Sequence, residues 1–211
     1  MISSSKQLKD KVRNISCGNS NKATMLIRNF MMERFLERVS ISSYRDNFIL
    51  KGGMLEATLD RVRQPIKIDI STDDVITPKA VEYDYKLMFE DRTISVLTYN
   101  RETLLAEKMQ TIINRGLANT RLRDFYDIYS IMNFYGEQID QQVLYEAFSA
   151  TCEKRKTIFA SNDIEEVLHM ISSDLHMEEL WVQFRKNNFY VGDLEWKIVI
   201  DYVENVMKSL S

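Results

Sequence analysis

Glycine, proline, cysteine and histidine are all scarce in this chain of 211 residues, at six, two, two and two. Few glycines and prolines argue against a sandwich of many short strands and tight turns, and favour long helices. Cys17 and Cys152 stand alone, without CxxC or Cys/His spacing. That fits reduced thiols in a cytoplasmic protein better than a disulfide framework or a zinc site. With only His169 and His176, histidine-based metal or triad chemistry is a poor basis for function. No apolar run approaches membrane-spanning length, and the first eleven residues lack the hydrophobic stretch of a signal peptide. The net charge of −3 gives no global attraction to nucleic acid or anionic membranes, so any RNA binding needs a local basic patch. The expectation is a soluble, cytoplasmic protein with no membrane partner. Its 45% hydrophobic and 28% charged residues suit an ordinary globular core.

Lys22–Val39 carries Met25, Leu26, Phe30, Met31, Phe35 and Leu36 at helical spacing, with Arg28, Glu33, Arg34 and Glu37 between them. This reads as a core helix, and packing accounts for Met31, Met32 and Phe35 better than a cofactor pocket does. Lys11, Arg13, Lys22, Arg28, Arg34 and Arg38 give the first helices a basic lean, which a solvated face explains more simply than an RNA track. Asn47–Leu50 reads as a strand that turns at Gly52-Gly53 before a helix-forming run. Pro65–Ser71 alternates, with Ile66, Ile68 and Ile70 on one face and Lys67 and Asp69 on the other. Tyr83–Phe89 and Thr93–Tyr99 read as antiparallel strands joined at Glu90-Asp91-Arg92. From Asn100, a predicted N-cap, the pattern is helical: Arg101–Arg115, Arg121–Phe134, Gln141–Glu153, Asp163–Ser173, Met177–Asn187 and Asp193–Ser209. Asn162 with Glu165 reads as a capping box. The boundary falls near Asn100, giving an α+β half over residues 1–100 and a helical half over 101–211.

Four features carry chemistry. Lys108 lies four residues after Leu104 and four before Ile112, so it interrupts an apolar stripe. A lysine there needs an anionic partner, a phosphate or a carboxylate, or else snorkels to solvent. Asp124 and Asp127 share one helix face at i and i+3, where they can hold a metal, orient a base or pair with Lys108. The helix dipole gives a purely structural reason for Asp124. Asp69 is a mid-strand carboxylate suited to a metal, or an exposed acid balanced by Lys67. Lys51, Gly52 and Gly53 form a turn in which a triphosphate can approach backbone amides, although glycine pairs are also common in ordinary turns.

In order and spacing these segments resemble the AbiEii/AbiGii nucleotidyltransferase-like toxins of AbiE-type abortive-infection toxin–antitoxin systems. The segments are Met25–Arg34, Phe48–Gly53, Ile66–Ser71, Leu104–Lys108 and, most strongly, Arg123-Asp124-Phe125-Tyr126-Asp127-Ile128-Tyr129. The resemblance implies a DNA polymerase β-type nucleotidyltransferase domain in the first half, followed by helices. It implies transfer of nucleotides from an NTP to an RNA such as the tRNA 3′ end, helped by Mg²⁺, under the control of a cognate antitoxin and in the setting of phage defence. Carried over by residue, Gly52 and Gly53, with Lys51 beside them, would cradle the triphosphate. Asp69 would be a metal ligand, Lys108 the phosphate-binding lysine, and Asp124 or Asp127 the acid of the last motif.

One departure is large. The family places a helix and then a strand with an Asp-x-Asp pair after the glycines, and that pair supplies two of three metal ligands. Here Met54-Leu55 runs into Glu56–Gln64, which resembles the stretch before the later Ile-x-Ile-Asp-Ile strand, so a segment is missing after Leu55. Adjacent Asp73-Asp74 would point to opposite sides of an extended chain and do not replace the pair. Glu56 and Asp60 would share a helix face only by coincidence. Three accounts fit the gap: an internal deletion that leaves a folded, impaired catalyst; a chain shorter than the natural protein; or a second copy or partner that supplies the carboxylates. The expected activity is therefore impaired nucleotidyl transfer. Its rivals are a non-enzymatic RNA- or antitoxin-binding protein and a structural remnant.

Overall fold

A computed structural model describes residues 2–49, 53–59, 62–68, 74–159 and 161–210. The chain divides into two compact units, Met1–Asp73 with Ala80–Tyr99, and Asp74–Lys79 with Asn100–Ser211.

The first unit opens with helix α1 (Ser5–Ser16), whose N-cap Ser4 accepts a hydrogen bond from the Gln7 amide. Leu8, Val12 and Ser16 recur every fourth residue and form its buried side. Helix α2 (Ser20–Ser40) begins at Asn19, whose side chain accepts from the Lys22 amide at 2.9 Å. Two antiparallel hairpins follow. Strands β1 (Gly53–Leu59) and β2 (Val62–Ile68) pair from Gly53 opposite Ile68 to Leu59 opposite Val62. Strands β3 (Val81–Lys86) and β4 (Thr93–Thr98) pair from Val81 opposite Thr98 to Lys86 opposite Thr93. On β4, Ile94 and Val96 are buried while Thr93 is exposed, the alternation expected of a strand with one covered face. Leu8, Val12, Leu26, Phe30, Met31 and Phe89 form one apolar cluster, with the Phe30 and Phe89 rings stacked at 5.9 Å. Leu36, Leu87, Ile94 and Val96 form a second.

Three sequence expectations change here. Asn47 closes a 3-10 turn, Arg45–Asn47, instead of opening a strand. The amides of Asn47 and Phe48 donate to the carbonyls of Tyr44 and Arg45, which removes them from any ladder. The run after Gly53 is strand β1, not helix, because its backbone pairs with β2; Leu55 and Glu56 are consecutive residues of that one strand. Glu33, placed among the polar residues of α2, is 1% exposed. The amide of Met88 and the hydroxyl of Tyr85 reach its Oε1 at 2.8 and 3.2 Å, so tertiary partners draw the carboxylate inward. The Tyr83–Tyr99 hairpin forms as read, with β3 ending at Lys86.

The second unit is helical: α3 (Arg101–Arg115), α4 (Leu122–Tyr135), α5 (Gln141–Lys154), α6 (Ser161–Ser173), α7 (Leu175–Asn187) and α8 (Trp196–Lys208). Asn100 caps α3, its Oδ1 accepting from the Thr103 amide at 2.7 Å. The same Asn100 donates to the Thr77 carbonyl, and Thr103 Oγ1 lies 3.1 Å from both the Thr77 amide and its carbonyl. These bonds tie the 74–79 segment to the helical unit, although it precedes β3 in sequence. Gly116, with φ at +51°, ends α3 in the left-handed region that side chains resist. Asp140 and Asp174 cap α5 and α7. Asn162 lies inside α6, one residue past its start, and not at the N-cap position expected of it. Helix α3 runs through the core: Leu105, Ala106, Met109 and Ile112 are all fully buried, against Phe125, Ile128, Leu144, Ile171, Trp181 and Val199 from the other helices.

Candidate functional site: a lysine between two carboxylates

Lys108 sits on α3 between its apolar residues, and its ammonium turns toward α4. Nζ donates to Asp124 Oδ1 at 3.1 Å and to Asp127 Oδ2 at 2.6 Å. The i, i+3 spacing sets the two carboxylates one above the other on one side of α4, within reach of one cation. Asp124 also lies in the first turn of its helix, where the dipole favours negative charge. The three side chains are 20%, 17% and 24% exposed, so solvent screens them little. Arg123 adds a longer contact, Nε to Asp127 Oδ2 at 3.7 Å, from a side chain that is 70% exposed. Two carboxylates thus face one partly buried cation, and Asp127 also faces an exposed one. Phe125 and Ile128, the other face of α4, are fully buried, and this packing holds the acidic face in place. Tyr126 and Tyr129 extend the packing, with ring centroids 5.4 Å from Tyr190 and 5.0 Å from Tyr202.

Sequence reasoning missed a second polar group on α3. Glu107 is 9% exposed and faces Arg155 Nη2 at 3.5 Å. Arg155 Nη1 donates to Thr111 Oγ1 at 3.0 Å, to the Glu107 carbonyl at 3.4 Å, and to Gln110 Oε1. Glu107, Gln110 and Thr111 interrupt the apolar helix as Lys108 does, so one signal was available. Nothing in the sequence pairs them with Arg155, which lies 48 positions from Glu107.

Of the other candidates, Lys51, Gly52 and Asp69 lie outside the described residues. Gly53 is the first residue of β1 and belongs to the first unit. Lys108, Asp124 and Asp127 are the candidates brought together.

A family model for the nucleotidyl transferase AbiEii toxin of type IV toxin–antitoxin systems matches residues 54–204. The chain belongs to the AbiEii family. The matched stretch contains Lys108, Asp124 and Asp127 and begins just after Gly53. Neither a curated protein nor a solved structure matches the chain significantly.

Do the residues of this AbiEii-family protein fit the Mg²⁺ that such chemistry uses? Among the described residues, no three His, Cys, Asp or Glu side chains gather in a way that could hold a metal. Asp124 and Asp127 each bond the Lys108 ammonium, and a divalent cation would have to displace it. The described carboxylates therefore do not fit a metal centre. Also among the described residues, no helix is long and apolar enough to cross a membrane.

Proposed function

We propose that this protein is a nucleotidyltransferase-like toxin of a toxin–antitoxin pair, built on a DNA polymerase β-type domain, with NTP as donor, a tRNA-like RNA as acceptor and a cognate antitoxin as partner. Its transfer step is impaired. The observation that carries the reading is the family match across residues 54–204, with the Lys108, Asp124 and Asp127 cluster inside it. In-line displacement at a phosphate needs positive charge against the transferring group, which metal ions normally supply. With no Asp-x-Asp pair after the glycines, two of the family's three metal ligands are lacking, and no metal-assisted step can be drawn from the described side chains. What the chain supplies is one ammonium with its position fixed. A phosphate reaching Lys108 would compete with two carboxylates for it, so nucleotide binding is weak.

The engagement of Lys108 by both acids also favours a second reading, a non-enzymatic protein that binds RNA or an antitoxin-like partner through its helices. In that case Lys108 and its two acids are an internal clamp between α3 and α4.

The test incubates the protein with each labelled NTP, Mg²⁺ and total tRNA, beside Lys108→Ala. Incorporation no higher than that of the variant is expected. Robust transfer that depends on Lys108 would overturn the impairment. Calorimetric titration with each Mg²⁺–NTP separates the readings. Weak binding that vanishes in Lys108→Ala supports the nucleotide site, and no binding to either protein supports the clamp.

A further inference from the structure

The C-terminal end of α3, the approach to α4 and the turn after α5 enclose a cavity of about 280 Å³. Its walls include Thr111, Asn114, Arg115, Arg121, Arg155 and Thr157. Three arginines thus line one pocket in a chain whose net charge is −3. Arg155 is committed to the wall by its bonds to Gln110, Thr111 and Glu107. Gln110 Nε2 in turn donates to Thr157 Oγ1 at 3.2 Å. Arg115 and Arg121 are exposed and make no ion pair among the described residues. Glu107 on α3 pairs with Arg155.

Like charges held together in a concave site repel, and an anion in the cavity relieves that cost. The planar guanidinium fork matches the oxygens of a phosphate in pairs, and threonine hydroxyls and side-chain amides add neutral donors. Among the described residues, no aromatic ring lines the cavity on which a nucleobase could stack. We infer that this pocket binds a phosphate group, from the backbone of an RNA or from the phosphate chain of a free nucleotide. The phosphate chemistry stands on the pocket alone; the two sources rest on the proposed function.

The test uses the full chain and two probes, inorganic tripolyphosphate by calorimetry and a fluorescent single-stranded RNA oligonucleotide by anisotropy. The Arg115→Ala/Arg121→Ala double variant and Asn114→Asp, which adds an acid at an exposed wall position, are compared with wild type. All three changes are at exposed positions, and unchanged thermal melts confirm folding. Both variants are expected to weaken binding about tenfold or more, the scale of lost charge-assisted hydrogen bonds. For RNA, the slope of log K against log salt in the double variant should shrink by about 1.4, or about 0.7 for each of two lost phosphate contacts. Loss with both probes assigns a site for a phosphate chain, and loss with RNA alone assigns a backbone site. Unchanged affinity for both probes in both variants overturns the inference, as does a wild-type protein that binds neither probe. Transfer is not read, so failure of catalysis leaves this test intact.

Discussion

The two units treat charge in opposite ways. In the first, Arg34 reaches Glu37 at 2.9 Å and Glu90 at 3.2 Å, and Arg92 reaches Glu90 at 2.7 Å and pairs with Glu37 as well. Beside this lattice Glu33 is buried, with Oε2 lacking a partner among the described residues. The apolar side chains there fall into two small clusters. The second unit has one continuous apolar core, and its main ion cluster, Lys108 with Asp124 and Asp127, is a small insertion in that core's wall. A small core leaves more of its element faces to be joined by polar bonds, whereas a large one needs few. Stability should therefore respond to packing in the helical unit and to protonation in the first.

The largest effect expected from this contrast is at Phe125, fully buried with its ring 5.2 Å from that of Trp196. Phe125→Ala should cost about 3–5 kcal/mol in urea unfolding, and Phe30→Ala should fall at or below the low end of that range because its cluster is smaller. An equal or greater loss at Phe30 would break the comparison. Next comes Lys108→Met, which leaves two largely covered carboxylates facing each other. A loss of about 1–3 kcal/mol is expected, largely restored by adding Asp124→Asn and Asp127→Asn. If the triple variant is no more stable than Lys108→Met, the carboxylates do not depend on the lysine.

The smallest effect concerns Glu33. Burial pushes its carboxyl above the ordinary 4.5, against the Met88 amide and Tyr85 hydroxyl that favour the ionised form. Burial and the same Glu33 push the Tyr85 phenol up to about 12. A raised folded-state pKa means that the native state holds the Glu33 proton more tightly than the unfolded chain. That contribution to stability is complete below the unfolded value and lost as pH rises through the folded one. The Glu33 contribution should fall as pH rises above about 4.5, and Glu33→Gln should remove that fall. An identical slope in the variant would place the pH dependence elsewhere.

How much of this was legible in advance depended on where the hydrogen-bond partners lie. Asn100 was read directly as the cap over α3, and Thr103, whose amide it accepts, lies only three residues on. The interruption of an apolar stripe by Lys108 likewise showed that it needed an anion, and Asp124 with Asp127 were marked as one possible source. The buried position of Glu33 was not legible, since its partners Tyr85 and Met88 lie more than fifty residues away. Nor was the strand identity of Gly53–Leu59, whose run of helix-compatible residues is overridden by pairing with Val62–Ile68.

By itself the sequence determined the helical periodicity from Asn100 onward, the cap at Asn100, the β3–β4 hairpin and the family to which the chain belongs, because local spacing and motif order encode each of these. Only the tertiary structure decided that Lys108 bonds both acids of α4, that Arg155 closes against α3, and that Arg115 and Arg121 share a pocket with it. Those arrangements depend on helices packing side against side, and packing joins residues whose separation along the chain carries no signal of their meeting.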